Sequence, residues 1–238
     1  MTTRDRLIVA LDSLTLPSAV ALARRLHGVV GTLKVGSILF TACGPVAIRR
    51  IRTLGFRIML DLKFHDIPST VEQSCRVAVH HGVSMLTVHT IGGAEMLRAA
   101  VRGVAEEARQ RQASRPLVLG ITVLTSLGGP SPAAVSRQVA RLAAMAQAAG
   151  CDGVVASARE TGMLRRTFGQ ALRIICPGIR PIQRGRTTRD DQQRTATPAE
   201  AMACGADALV MGRPITGSAD PKGAAQQILH EMEAHQAC

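Results

Sequence analysis

The stretch Arg57-Ile58-Met59-Leu60-Asp61-Leu62-Lys63-Phe64-His65-Asp66-Ile67-Pro68 begins as a short apolar run and ends in charge. The same pattern recurs at residues 7–11, 30–35, 85–89, 116–124, 153–156, 173–176 and 208–211, with 57–62 as the third of eight. Near-continuous rather than alternating hydrophobicity is expected of parallel strands covered on both faces. The segments between the runs carry helix signals. Ser131-Pro132 opens a helix that ends near Gly150, Thr197-Pro198-Ala199-Glu200 reads as a capping box with proline at the first helical position, and Asp220-Pro221 opens the last helix. Eight strand and helix units in 238 residues predict an α/β fold, a single (β/α)8 TIM barrel spanning residues 1–238. A doubly wound open sheet is the alternative. It would carry a glycine-rich turn after its first strand, where this chain has Asp12-Ser13-Leu14-Thr15.

In a barrel of this kind the reactive groups sit where the strands run out at the C-terminal face. The polar residues fall there: Asp12 after the first strand, Lys34 at the second, Asp61 and Lys63 at the third, His89 and Thr90 at the fourth. The fifth ends with Thr125 and Ser126, the sixth with Ser157, the seventh runs into Arg180 and the eighth into Gly212-Arg213. A lone Asp or Thr at a strand end is more often a helix cap than a catalyst. Eight strand ends aimed into one mouth change that balance.

Composition narrows the partner. The chain has 29 basic and 17 acidic residues, a formal net charge of +12, which fits an anionic ligand. Nucleic acid is disfavoured, because Trp and Tyr are absent, only four Phe are available for base stacking, and arginine is spread through most of the helical segments. The six cysteines are dispersed, with no C-x-x-C pair and no histidine at metal-ligand spacing, so reduced thiols are expected and structural zinc is not. The first apolar run, 7–11, is too short for a signal peptide or membrane span, and a cytoplasmic location is expected.

Only three of the 29 basic residues are lysines: Lys34, Lys63 and Lys222. Two of them close apolar runs, where the arginine preferred elsewhere was not used. A lysine ammonium is a compact charge that can give up its proton, whereas a guanidinium stays protonated. Lys63 also lies between Asp61 and Asp66 in an Asp-x-Lys-x-x-Asp array suited to fixing charge and transferring a proton.

Ala10-Leu11-Asp12, Leu33-Lys34-Val35-Gly36, Asp61 through Thr70, Leu124-Thr125-Ser126, Pro177-Gly178-Ile179-Arg180-Pro181, Asp191-Gln192 and Gly212-Arg213-Pro214-Ile215-Thr216 together resemble the orotidine 5'-phosphate decarboxylase family, in order and over nearly the whole chain. The resemblance implies a homodimer that converts orotidine 5'-phosphate to uridine 5'-phosphate and CO2, the last step of UMP biosynthesis, with no cofactor. It implies that Lys63 stabilises and protonates the C6 carbanion, flanked by Asp61 and by Asp66 of the other subunit. It also implies that Asp12, Lys34 and the other subunit's Thr70 hold the ribose, that Thr125 meets the pyrimidine, and that Arg180, Gln192, Gly212 and Arg213 bind phosphate. The mechanism needs no imidazole, so His65 and His89 read as structural. The chain departs from the family pattern at Cys176, where threonine is expected, and at Arg189, where glycine is usual. Two rivals remain: a magnesium-dependent sugar-phosphate enzyme on the same scaffold, and a catalytically silent phosphate-ligand or nucleic-acid binder.

Overall fold

A computed structural model describes residues 2–124, 131–181 and 196–234. Eight strands form a closed barrel, each parallel to both neighbours: β1 Leu7–Ala10, β2 Thr32–Gly36, β3 Arg57–Phe64, β4 Met85–His89, β5 Leu117–Ile121, β6 Gly153–Val155, β7 Arg173–Pro177 and β8 Ala208–Met211. The connecting helices are α1 Thr3–Arg6, α2 Leu16–Leu26, α3 Ser37–Cys43, α4 Pro45–Arg52, α5 Pro68–His80, α6 Gly93–Gln110, α7 Pro132–Ala148, α8 Ala158–Phe168, α9 Pro198–Ala203, α10 Arg213–Thr216 and α11 Pro221–Ala234. Among the described residues no helix is long and apolar enough to cross a membrane.

The helix starts follow local chemistry. Ser131 caps α7 by accepting from Ala134 N at 3.2 Å, and Pro132 follows it. Thr197 and Glu200 form the reciprocal capping box of α9, at 2.8 and 3.1 Å. Both satisfy amides that a helix start leaves without partners.

Alternation along each strand divides the core in two. Leu7, Val9, Leu33, Val35, Leu60 and their outward-facing counterparts pack against the helices. Ile8, Ala10, Met59, Met85, Leu119, Ile175, Ala208 and Val210 fill the barrel's interior, which is therefore packed rather than a pore. One step further along the same inward-facing rows come Asp12, Lys34, Asp61 and Lys63.

The strand limits differ from the expected ones in instructive places. Val29 and Val30 belong to the turn after α2, where both amides donate to Leu26 O, so β2 starts only at Thr32. The fifth strand ends at Ile121 rather than running to 124. The third runs two residues past its apolar stretch, to Phe64.

Candidate active site

Strand β3 sets the geometry of the mouth. Its register with β2 is unbroken up to the pair Gly36 and Asp61. Against β4 the register shifts: Leu60 lies opposite Leu86 and Phe64 opposite Val88, so Asp61, Leu62 and Lys63 share the span that Thr87 occupies alone. This bulge places Lys63 at φ +52°, the left-handed region that side-chain-bearing residues seldom adopt. Such strain persists only where the surroundings fix it. Here the fully buried Thr87 hydroxyl accepts from the Lys63 amide at 2.9 Å and donates to Asp61 Oδ1 at 3.0 Å.

From this bulge a chain of alternating charge runs back across three strands. Lys63 Nζ lies 2.9 Å from Asp61 Oδ2, Lys34 Nζ lies 3.4 Å from the same oxygen, and Asp12 Oδ1 is 3.3 Å from Lys34 Nζ. Burial alone would push the Asp61 carboxyl up, but the charges of Lys34 and Lys63 and hydrogen bonds from Lys63 and Thr87 prevail and hold it below the ordinary value. Asp61 is thus an anion on a largely buried side chain at the edge of the mouth. Gly36 makes room for this chain: a Cβ there would come within 2.8 Å of Lys34 Nζ.

These charges line one side of a pocket of about 300 Å³ at the C-terminal face. Met59, Ile121, Val155 and Val210 form its apolar floor, and Gly178, Arg180, Gly212 and Arg213 close it on the side of β7 and β8. The Arg180 amide donates to Ala196 O at 2.9 Å, which fixes the backbone beyond β7. Round the rim, strand by strand, the order is Arg180, Arg213, Asp12, Lys34, then Asp61 with Lys63. Among the described residues no group of three or more His, Cys, Asp and Glu side chains could hold a metal ion.

The family model for orotidine 5'-phosphate decarboxylase / HUMPS matches residues 5–228. The chain belongs to that family. It is 47% identical over 239 residues to an orotidine 5'-phosphate decarboxylase of Syntrophotalea carbinolica, covering 97% of this chain and 96% of the relative. It is 45% identical to the enzyme of that name from Moorella thermoacetica, covering 98% and 94%. Among solved structures, an orotidine 5'-phosphate decarboxylase from Lactobacillus acidophilus superposes with a TM-score of 0.82 at 33% identity, covering 96% of this chain and 99% of that one. An uncharacterized conserved protein from Geobacillus kaustophilus superposes with a TM-score of 0.80 at 30% identity, covering 95% and 99%.

Of the residues that the sequence singled out, Asp12, Lys34, Asp61, Lys63, Arg180, Gly212 and Arg213 come together in this family's barrel mouth. Asp66 and Thr70 do not line it. Asp66 is exposed and its Oδ1 accepts from Ile67 N at 2.6 Å, while Thr70 lines a separate groove outside the barrel with Phe40, Leu62, Phe64 and Val77. Thr125 and Gln192, with Arg189, lie outside the described residues. His65 and His89 pack ring to ring with centroids 5.7 Å apart. Burial and the neighbouring charges of His65 and Lys63 hold His89 below the usual histidine value, which favours a neutral ring. Cys176 faces outward from β7 into the core, its Sγ 3.1 Å from Thr161 Oγ1, and burial pushes its thiol up to about 12. The departure at Cys176 therefore lies outside the mouth.

Thr87 is a residue of this site that the sequence alone does not single out. Its signal was present in Leu86-Thr87-Val88-His89, where a threonine holds the inward-facing position two before His89. Thr87→Val keeps the shape but removes hydrogen bonds to a charged carboxylate and a strained amide, an interaction worth about 1.5–3 kcal/mol. A fall in turnover of roughly 10- to 100-fold is expected, carried by kcat rather than KM, with Thr87→Ser close to wild type. Steady-state kinetics of the three proteins check this.

Proposed function

We propose that this chain, acting as one domain in the cytoplasm, decarboxylates orotidine 5'-phosphate to uridine 5'-phosphate at the barrel mouth. The observation that carries the proposal is the order of groups round the rim. Two arginines suited to forking onto phosphate, then an Asp and Lys suited to ribose hydroxyls, then a lysine held beside a buried carboxylate follow one another as phosphate, sugar and base do in a nucleotide.

The chemistry asks for this arrangement. When the bond from C6 to the carboxylate breaks, CO2 leaves and the electron pair stays in an in-plane orbital of the pyrimidine, out of conjugation with the ring. Stabilisation must then be electrostatic. A preorganised ammonium in a site poor in water supplies it without reorganisation at the moment of reaction. Lys63 faces the developing charge, gives its proton to C6, and recovers one from solvent. Asp61 fixes Lys63 and lies beside the departing carboxylate, while Lys34 balances the charge of Asp61.

The reading includes a homodimer in which Asp66 and Thr70 complete the neighbouring protomer's site. In support, both stand away from their own mouth, beside exposed Ile67 and a groove whose walls are apolar, the kind of surface a second copy covers. In such a dimer each site joins Lys63 of one chain to Asp66 of the other. Lys63→Ala and Asp66→Ala dimers should each be nearly inactive, yet unfolding and refolding them as a mixture should restore activity. Random pairing makes about half the dimers mixed, each with one intact site of two, so roughly a quarter of wild-type activity is expected. A mixture without activity, despite demonstrated heterodimers, would place Asp66 elsewhere.

The reaction itself is tested by the loss of orotidine 5'-phosphate absorbance in the presence of EDTA. Continuous loss supports the proposal. Turnover that depends on added magnesium, or on a sugar phosphate instead, would support the rival chemistry.

A further inference from the structure

The alternation that brings Lys34, Asp61 and Lys63 to the top of the barrel brings arginines to the bottom. Arg57 opens β3, Arg173 opens β7, and Arg115 lies two residues before β5. With Arg52 at the end of α4 they line a basin of about 630 Å³ at the face opposite the mouth. Two aspartates accompany them: Asp5 lies 3.1 Å from Arg57, and Asp152 lies 2.6 Å from Arg115 while also accepting from Val118 N at 2.8 Å. Among the described residues, Arg52 and Arg173 have no carboxylate partner. Arg52 is nevertheless held in place. It donates to His81 O at 3.2 Å and lies over Gly82, at φ +67°, where a Cβ would come within 2.4 Å of the guanidinium. Ser84 and Ser114 add hydroxyl groups to the wall.

We infer that this basin is a second anion site, built for the phosphate chain of a small oligophosphate. Four guanidiniums against two carboxylates leave a local excess of positive charge, and the planar forks match phosphate oxygens two at a time. At about 630 Å³ the basin has room for several linked phosphates rather than one. Phe56 is the basin's only aromatic side chain among the described residues and its ring is already engaged edge-on by His27, so recognition is expected to rest on the phosphates and not on a stacked base.

Calorimetric titration with inorganic tripolyphosphate tests the inference, with a nucleoside triphosphate in a parallel arm to separate the two sources of such a chain. The proteins are wild type, Arg52→Gln/Arg173→Gln, Arg52→Lys/Arg173→Lys and Arg213→Ala, each checked for an unchanged thermal transition without ligand. Wild type should show saturable binding that weakens with salt. The Gln pair should lose at least tenfold in affinity, the Lys pair should fall between, and Arg213→Ala should retain the bottom site. Equal binding in the two arms assigns recognition to the phosphate chain, and preference for the nucleotide would overturn that assignment. No saturable binding, equal affinity in wild type and both pair variants, or loss confined to Arg213→Ala would overturn the site.

Discussion

Lys63→Ala is expected to lower kcat/KM for orotidine 5'-phosphate by roughly 10⁵-fold, since a preorganised electrostatic contact is commonly worth 10² to 10³ and a positioned general acid 10² to 10⁴. Both contributions act on a charge that exists only in the transition state, so nucleotide affinity should change far less than turnover. The fold should survive. Asp61 would keep Lys34 at 3.4 Å and the Thr87 hydroxyl at 3.0 Å, and alanine removes a side chain that is already about one-third exposed. Turnover together with uridine 5'-phosphate affinity checks the expectation. Comparable turnover in variant and wild type would remove Lys63 from the chemistry.

Arg213→Ala is expected to lower kcat/KM by about 10³-fold, the scale on which losing one partner of a desolvated charge pair acts. The loss should appear in kcat as well as KM, because binding energy from the phosphate, remote from the bond that breaks, holds the pyrimidine against Lys63. Orotidine without its phosphate separates the two effects. Wild type should process it poorly, and the variant should process it no worse than wild type does, since the missing contact has no partner. A deficit of equal size on both substrates would mean that Arg213 acts on something other than phosphate.

The barrel was legible because each strand carried its own signal, an apolar run ending in a polar residue, and because parallel strands share one direction. Seven site residues therefore point to the same end of the sheet on sequence alone. The path of the chain between Leu60 and Phe64 was not legible. An Asp-x-Lys spacing looks the same in a flat strand and in a bulge, and nothing local to Lys63 announces φ +52°. The cause lies on another strand, in Thr87, 24 residues on. Asp66 illustrates the opposite limit. Three residues from Lys63 in sequence, it is carried off the mouth because the chain leaves β3 at Phe64 and enters α5 at Pro68. Spacing alone groups it with Lys63, and only the turn separates them. The shortfall at β5 has a simpler origin: apolar residues continue to Leu124, while Thr122 turns its hydroxyl to Val155 O at 2.8 Å as the strand ends.

The central claim is that Lys63 stabilises a carbanion at C6 and protonates it without help from a metal. Turnover of orotidine 5'-phosphate in deuterium oxide with EDTA tests it most directly, with the product followed at C6 by proton NMR. Wild type should yield uridine 5'-phosphate carrying a single deuteron at C6, formed in step with CO2 release, and Lys63→Ala should yield essentially none. Product that forms only when a divalent metal is restored, or forms equally fast in Lys63→Ala, would contradict it.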